Sequence, residues 1–469
     1  MSRRLYTTLA ANIVFPLHER LKGHSTLSVL RDLKAIEWLD PVALDALRIE
    51  RLRGLLCGAS VHVPYYRKLF QKLDFSPERV TSIDDLQRLP VLEKSDIRRN
   101  YADLKADDAA GTRTFSTTGS SGDPLRFEIG KLRVSHDVAA KWLATQWWGV
   151  DIGDREIVAW SSPIELNSQD RVRRMRDLLL RSRLLPAISL SEKRLGECVQ
   201  EIRDFRPVML FGYPSSLTLI AQYAAKHDVT MSDLGIEVAF VTAEKVYPHQ
   251  RDWIGRVFGC RVAEGYGGRD SGFIAHECPN GGLHVNAGDI VVEIVDAGGH
   301  VLPHGQAGEV VVTHLFTHDF PFVRYRTGDV AVLDDRQCPC GRGLPLMREV
   351  QGRTNDFLLL PDGGRVHDVA FAMLLRDMPG VEQFKIIQES FELTRVELVT
   401  GTPFDAKRSV PKIEALFRAR LGGSTRIEIG LVPVIHPEST GKYRYVVSKI
   451  ASVPPSGSSE PAATNATSP

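Results

Sequence analysis

The stretch 208–242, VMLFGYPSSLTLIAQYAAKHDVTMSDLGIEVAFVT, decides the fold. A short apolar run, VMLFG at 208–212, passes through a turn signal into the helix-like SSLTLIAQYAAKHD. The cycle then starts again with IEVAFVT at 236–242. Apolar strands that alternate with helices imply an α/β domain whose sheet is at least partly parallel. The same alternation extends both ways, through EIVAW at 156–160 with a helix around His136–Trp148 before it, and through the helix HQRDWIGRVFG into RVAEGYGG at 261–268, read as strand then loop. In such folds ligands sit at the carboxyl ends of the strands.

Further out the character changes. Apolar residues three and four apart in LSVLRDLKAIEWL and ALDALRIERLRGLL make the N-terminal segment, 1–108, helical. TRTFSTTGSSGDPLRFEIG at 112–130 reads as two strands around a loop, and the arginine-laden RVRRMRDLLLRSRLL at 171–185 as a helix. Short alternating strands, DIVVEIVD, GEVVVTHL and VRYRTGDVAVL, make a β-rich subdomain over 283–333. A fresh compact α+β unit runs to Ile450, and VPPSGSSEPAATNATSP beyond it lacks core-forming side chains. The fold class is therefore α/β: a large multi-sheet N-terminal domain over 1–352 with a β-rich subdomain, a small α+β C-terminal domain over 353–450, and a disordered tail over 451–469.

Composition narrows the function. At about 100–200 residues per domain, 469 residues imply two or three domains. Fifty-nine Lys and Arg against 58 Asp and Glu remove the global electrostatic case for nucleic acid and point to a small partner. Usage of 43% hydrophobic and 25% charged residues excludes a largely disordered or fibrous chain. No run approaches the about 20 apolar residues of a transmembrane segment, so a soluble protein is expected. The start, MSRRLYTTLAANIVFPLHER, is interrupted by Asn12, Pro16 and His18 and reads as mature protein, with membrane-surface contact as the alternative. Six cysteines in a chain this long make no disulfide framework, which places it by default in a reducing cytoplasm.

Four features carry chemistry. Ser116, Thr117, Thr118, Gly119, Ser120, Ser121 and Gly122 form a run of small residues whose hydroxyls and backbone N–H groups suit phosphate oxygens, although no Walker lysine follows and a plain surface loop has the same composition. In YGGRDSG at 266–272, Tyr266 beside Gly267 offers a flat ring to a purine and Asp270 a carboxylate to magnesium. Asp329, in VRYRTGD, suits vicinal hydroxyls such as those of ribose, or simply caps a turn. Lys442, in STGKYR near the end of the folded chain, would be a mobile point charge for phosphate.

In this order and spacing, with VPYYRKLF at 63–70, LPVLEKSDIRRNY at 89–101, FGYPSSLTLIAQY at 211–223, TAEKV at 242–246 and GRTNDFLLL at 352–360, the chain resembles the adenylate-forming superfamily. The likeness is to its phenylacetate–CoA ligase and capsule-biosynthesis-type branch and covers roughly residues 60–450. The resemblance implies that Ser116–Gly122 wrap the β- and γ-phosphates of ATP, that Ala243 and Glu244 border the adenine, and that Tyr266 stacks on it. Asp270 would help hold Mg2+, Asp329 would clasp the ribose, Arg353 would lie beside it at the hinge between the domains, and Lys442 would bridge carboxylate and α-phosphate. Three departures stand out: Arg269-Asp270 where the family has Thr-Glu, Asn355 followed by Asp356 at the hinge, and Leu125-Arg126 where a lysine often follows the loop's proline.

Cys278, His284, Cys338 and Cys340, in HECPNGGLH and QCPCGRG, would close a tetrahedral zinc shell of structural type, with His276 competing for the nitrogen position and unconnected buried thiols as the plain alternative. The resembled branch implies such a site. Cys57, Cys198 and Cys260 read as core residues, while Trp147, Trp148, Phe211, Tyr213 and Pro214 would suit a flat acyl pocket. The function expected is an acid–thiol ligase: ATP turns a small carboxylic acid into its acyl-adenylate, and coenzyme A then displaces AMP, with an aromatic acid favoured by resemblance. Another acceptor (amine, hydroxyl or carrier thiol) and a nucleotide-binding scaffold with little catalysis are the alternatives. The reading admits a homodimer without requiring one.

Overall fold

The computed structural model describes residues 3–117, 125–160, 171–186, 192–353, 357–360, 365–367, 371, 374–375, 378–422, 425–436 and 445–450. They belong to two compact units, one within 1–352 and the other within 353–436 and 444–450.

In the first unit the N-terminal hundred residues are helical, chiefly Thr26–Ile36, Pro41–His62 and Pro64–Leu73. Asp40 starts the longest of these, its carboxylate accepting from Ala43 N at 2.9 Å ahead of Pro41 in the first helical position. Val29, Leu30, Leu33 and Ile36 share one core with Leu52, Leu55 and Leu56. A hairpin follows, β1 (Arg113–Ser116) with β2 (Arg126–Ile129).

The central sheet has eleven strands. β3 (Glu156–Trp160), β4 (Ser182–Pro186), β5 (Met209–Gly212), β6 (Val238–Thr242) and β7 (Arg261–Gly268) run parallel. β8 (Gly272–Glu277), β9 (Leu283–Val285), β10 (Ile290–Val295), β11 (Ala307–His314), β12 (Tyr325–Asp334) and β13 (Leu346–Arg353) complete it, in the order 10-11-12-13-9-8-7-6-5-3-4. Strand alternation divides the parallel half into two cores. Leu210, Ala239 and Val241 meet the helices Pro214–Lys226 and Pro248–Phe258 on one face; Met209, Phe211, Val238 and Phe240 meet Trp148 on the other. The β-rich stretch is continuous with this half, because β13 pairs with β9.

Two sequence expectations change. The arginine run is helical only over Arg171–Leu180: Arg181 turns left-handed at φ 56° and the rest becomes β4, which buries Leu185 beside β3. RVAEGYGG stays in strand to its end, because the unexpected strand β8 folds back on it through a tight turn.

In the second unit the hairpin β14 (Phe357–Leu359) with β15 (Arg365–His367) precedes four strands ordered 18-17-16-19: β16 (Val381–Gln388), β17 (Leu393–Thr400), β18 (Arg426–Leu431) and β19 (Val446–Ser448). The helix Ala406–Leu421 lays Ile413, Phe417 and Leu421 against Ile386, Val396 and Leu398. The whole is a mixed α/β protein.

Candidate functional site

The stretch 323–329 is fixed from below by an ion pair. Arg324, buried and left-handed at φ 53°, places its Nε 3.1 Å from both Glu293 oxygens and donates to Leu89 O at 2.7 Å and Gly299 O at 3.0 Å. Burial pushes the Glu293 carboxyl up and the guanidinium opposes it. Removing either partner would strand a buried charge, so the register of β12 is held firmly. Next to it the chain needs a positive φ, 86° at Gly328, which a residue without Cβ supplies. Thr327 Oγ1 then accepts from Asp329 N at 3.1 Å.

Asp329 so placed meets β7: Tyr266 Oη donates to Asp329 Oδ2 at 2.9 Å. A second pair runs the opposite way, Tyr325 Oη donating to Asp270 Oδ2 at 2.6 Å while Ser271 N donates to Asp270 Oδ1 at 3.1 Å. β7 and β12 stand four places apart in the sheet, so the sheet curls to bring them together. Each Asp270 oxygen keeps an unused acceptor direction, a donor set that fits a hard cation such as magnesium directly or through water. The hairpin reaches the same place. Arg269, its pKa lowered by burial, lies 5.7 Å over the Phe115 ring of β1. Ser116 ends β1, and the base of the loop is closed by Thr117 N to Leu125 O at 2.9 Å and Leu125 N to Thr117 Oγ1 at 3.0 Å. Thr118, Gly119, Ser120, Ser121, Gly122 and Lys442 lie outside the described residues, as does the side chain of Arg353 at the end of β13.

Ala243 follows β6 in the left-handed region at φ 69°, a strained setting for a residue with a Cβ. Glu244 beyond it accepts from Ser215 N at 3.2 Å, at the start of the helix after β5. Burial, with Glu244 adding to it, pushes the Tyr213 phenol above its ordinary pKa. Tyr213 stacks on Trp160 at 4.4 Å, and Trp160 on Phe211 at 6.0 Å, giving a flat aromatic wall at the strand ends. Trp160 was not singled out in the sequence, though its place at the carboxyl end of EIVAW was the available signal. Trp147 points elsewhere, its indole donating to Glu37 Oε2 at 2.7 Å, and Trp148 donates to Glu277 O at 2.8 Å. Tyr325 was also missed, although it lies in the stretch read for Asp329.

The thiols converge. One ligand atom from each of Cys278, His284, Cys338 and Cys340 lies within 4.8 Å of the others. Cys278 and Cys338 sulfurs stand 3.6 Å apart and Cys340 Sγ is 3.2 Å from His284 Nε2. The group fits a tetrahedral cation on three counts. His284 Nδ1 faces Leu344 O at 3.3 Å, which leaves Nε2 as the ligating lone pair; burial lowers its pKa to about 4, so the ring is neutral; and a Cβ at Gly282 would sit 2.7 Å from Cys338 Sγ, so glycine opens the space. Burial also pushes the Cys278 thiol up to about 12. His276, the competitor, is outside the group: it is buried near Phe240 and Phe273, with no hydrogen-bond partner for either ring nitrogen among the described residues. Cys198 is buried, and Cys57 and Cys260 are half-buried.

One carboxyl nearby predicts a pH effect. Burial, then Glu277, raises Glu264 to about 7 from 4.5, although 23% of its side chain reaches solvent. The folded chain thus holds a proton that the unfolded chain releases, so this group's stability is full below about 4.5 and lost as pH rises through 7. Glu264→Gln is expected to remove about 2–3 kcal/mol of that loss between pH 5 and 8 in denaturant titrations; parallel curves for the two proteins would refute it.

A family profile described as the CapK C-terminal domain matches residues 358–449. Protein CapK of Staphylococcus aureus is 23% identical over 82% of this chain and 85% of its own. A phenylacetate–coenzyme A ligase of Thermus thermophilus is 27% identical over 74% and 78%. The crystal structure of 2-hydroxyisobutyryl-CoA ligase in the postadenylation state, in complex with 2-HIB-AMP, shares the fold with TM-score 0.74 at 21% identity, covering 88% of this chain and 91% of that one. Over most of its length, then, the chain is similar to CapK and to phenylacetate–CoA ligases, and it shares the fold of 2-hydroxyisobutyryl-CoA ligase.

Proposed function

We propose that the protein activates a carboxylic acid with ATP and passes the acyl group to coenzyme A. The carboxylate oxygen attacks the α-phosphorus, forming an acyl–phosphate bond as pyrophosphate leaves; the thiol sulfur then takes the acyl carbon and AMP departs. The observation that supports this most is the Tyr266–Asp329 hydrogen bond, which joins two candidate nucleotide positions 63 residues apart and orients both. In this reading Tyr266 and Gly267 offer one face to the adenine, Ala243 and Glu244 its edge, and Asp329 accepts from the ribose hydroxyls. The hairpin loop Ser116–Gly122 cradles the terminal phosphates. Asp270, tethered by Tyr325, holds magnesium, which when bound neutralises phosphate charge. The Cys278, His284, Cys338, Cys340 group holds zinc and fixes β8, β9 and the loop before β13. The relatives named phenylacetate–CoA ligases and the Trp160–Tyr213 wall favour a flat aromatic acid. The second reading is the same activation with another acceptor, an amine, a hydroxyl or a carrier thiol.

Pyrophosphate release from ATP over an acid panel, with and without coenzyme A, tests both readings. Release driven by aromatic acids, with thioester formed, is expected. Release without thioester points to the other acceptor, and no release with any acid removes both. Asp329→Asn is expected to weaken apparent ATP affinity by about 10–100-fold, since a carboxylate accepting two hydroxyls contributes about 1.5–3 kcal/mol.

A further inference from the structure

Residues Arg3–Lys22 are helical throughout, but Ala10–Val14 wind as one wider π-helical turn between two α-helical stretches. The inner side docks on the body. Ala10 and Phe15 are buried, Phe15 meets Trp142 edge-on at 6.4 Å, and Thr7 Oγ1 donates to Asp154 Oδ1 at 2.9 Å. The outer side carries Leu5, Leu9, Ile13, Leu17 and Leu21, one residue in four, each between 39% and 81% exposed. In an unbroken α-helix a four-residue repeat drifts by about 40° per step, and the five would spiral off one face. The slower winding of the π turn rotates the stripe back and keeps it opposite Ala10 and Phe15.

The helix Arg171–Leu180 adjoins this stripe. Tyr6 Oη donates to Leu179 O at 2.9 Å, and the Arg181 guanidinium lies 4.6 Å over the Tyr6 ring. Met175, Leu178 and Leu179 are exposed here too, so these two segments hold eight of the fifteen exposed large hydrophobic residues among those described. Such concentration marks a contact surface, where scattered single residues would not.

Charge identifies the occupant. Residues 1–22 and 171–183 contain ten Arg and Lys against two acids, although the whole chain carries 59 basic against 58 acidic residues. Neither acid competes: Glu19 is buried beside His24, and Asp177 pairs with Arg176 at 2.5 Å. One cation from each segment acts on His18, whose pKa is lowered by burial and then by Lys22 and Arg176, against the pull of Glu19. A second copy of the chain would suit the leucines but would set this cationic surface against its own like.

We propose that this face rests on an anionic lipid bilayer, the five-residue stripe with Met175, Leu178 and Leu179 at headgroup depth and the exposed Arg20 and Lys22 at the lipid phosphates. The protein lies on the surface: among the described residues no helix is long and apolar enough to cross a membrane. The inference stands apart from the acid chemistry, and its test uses no activity.

Full-length protein is sedimented with phosphatidylcholine vesicles and with vesicles containing phosphatidylglycerol. Binding to the anionic vesicles is expected to be at least about tenfold tighter and to fall with added salt. Leu9→Asp, Ile13→Asp and Leu17→Asp combined should abolish it at unchanged melting temperature, because those side chains already face water. Should that variant unfold, Arg20→Glu with Lys22→Glu gives the same test through charge and should cost about tenfold. No binding, equal binding to both vesicle types, or binding indifferent to the substitutions overturns the proposal. So does a stripe-dependent dimer that ignores vesicles.

Discussion

Lys442→Ala is expected to slow carboxylate-dependent pyrophosphate release by about 10²–10³-fold, leaving thioester formation from supplied acyl-adenylate largely intact. Two anions must approach for the carboxylate to reach the α-phosphorus, and negative charge grows on the phosphorus oxygens as the bond forms. An ammonium group that met those oxygens would be more valuable in the transition state than in the ground state, so its loss would fall on the rate of adenylation more than on ATP affinity. In the second half-reaction bond changes occur at the acyl carbon, and the demand for that cation drops. Lys442→Arg keeps the charge but spreads it over a planar fork, and should recover only part of the rate. Burst measurements of pyrophosphate, with thioester followed separately, distinguish the steps. Equal loss in both halves would remove Lys442 from the role proposed, while the acid reading itself would survive on any acid-dependent release.

Cys338→Ser is expected to lose stoichiometric zinc and several kcal/mol of stability. With the metal, three thiolates and an imidazole satisfy one cation, and binding energy becomes folding energy because the unfolded chain has no such site. Without it the structure retains a buried thiol whose neighbour Cys278 is pushed up to about 12, beside the β9–β13 pairing that holds the two segments together. Elemental analysis of protein purified without chelator should give one zinc per chain. A strong chelator should lower the melting temperature of the parent protein and leave the variant unmoved. Metal-free parent protein of unchanged stability would refute the assignment.

Three of the parallel strands were legible because both their faces are largely buried: IVAW, MLFG and VAFV are apolar without a break, as interior strands require. The chemistry-bearing segments were legible for the opposite reason, being runs of small or charged residues where a core would need none. What periodicity does not carry is adjacency. It told which way Leu178 or Leu185 points along its own segment, yet Arg181 reverses the backbone and sends one to solvent and the other into the sheet. Likewise GFIAHE has too little alternation to mark β8 alone; it is a strand because β7 and β9 lie on either side.

By itself, then, the order of residues determined the α/β alternation, the glycine-rich and cysteine-rich segments and the likeness they carry, because these depend on local composition and spacing. Only the tertiary structure decided that Tyr266 meets Asp329 and Tyr325 meets Asp270, that His284 rather than His276 joins the three thiols, and that a leucine every fourth residue stays on one bare face. Each of these depends on how far a sheet curls or how a turn of helix is wound, which follows from packing between segments tens to hundreds of residues apart and leaves no periodic trace in either one.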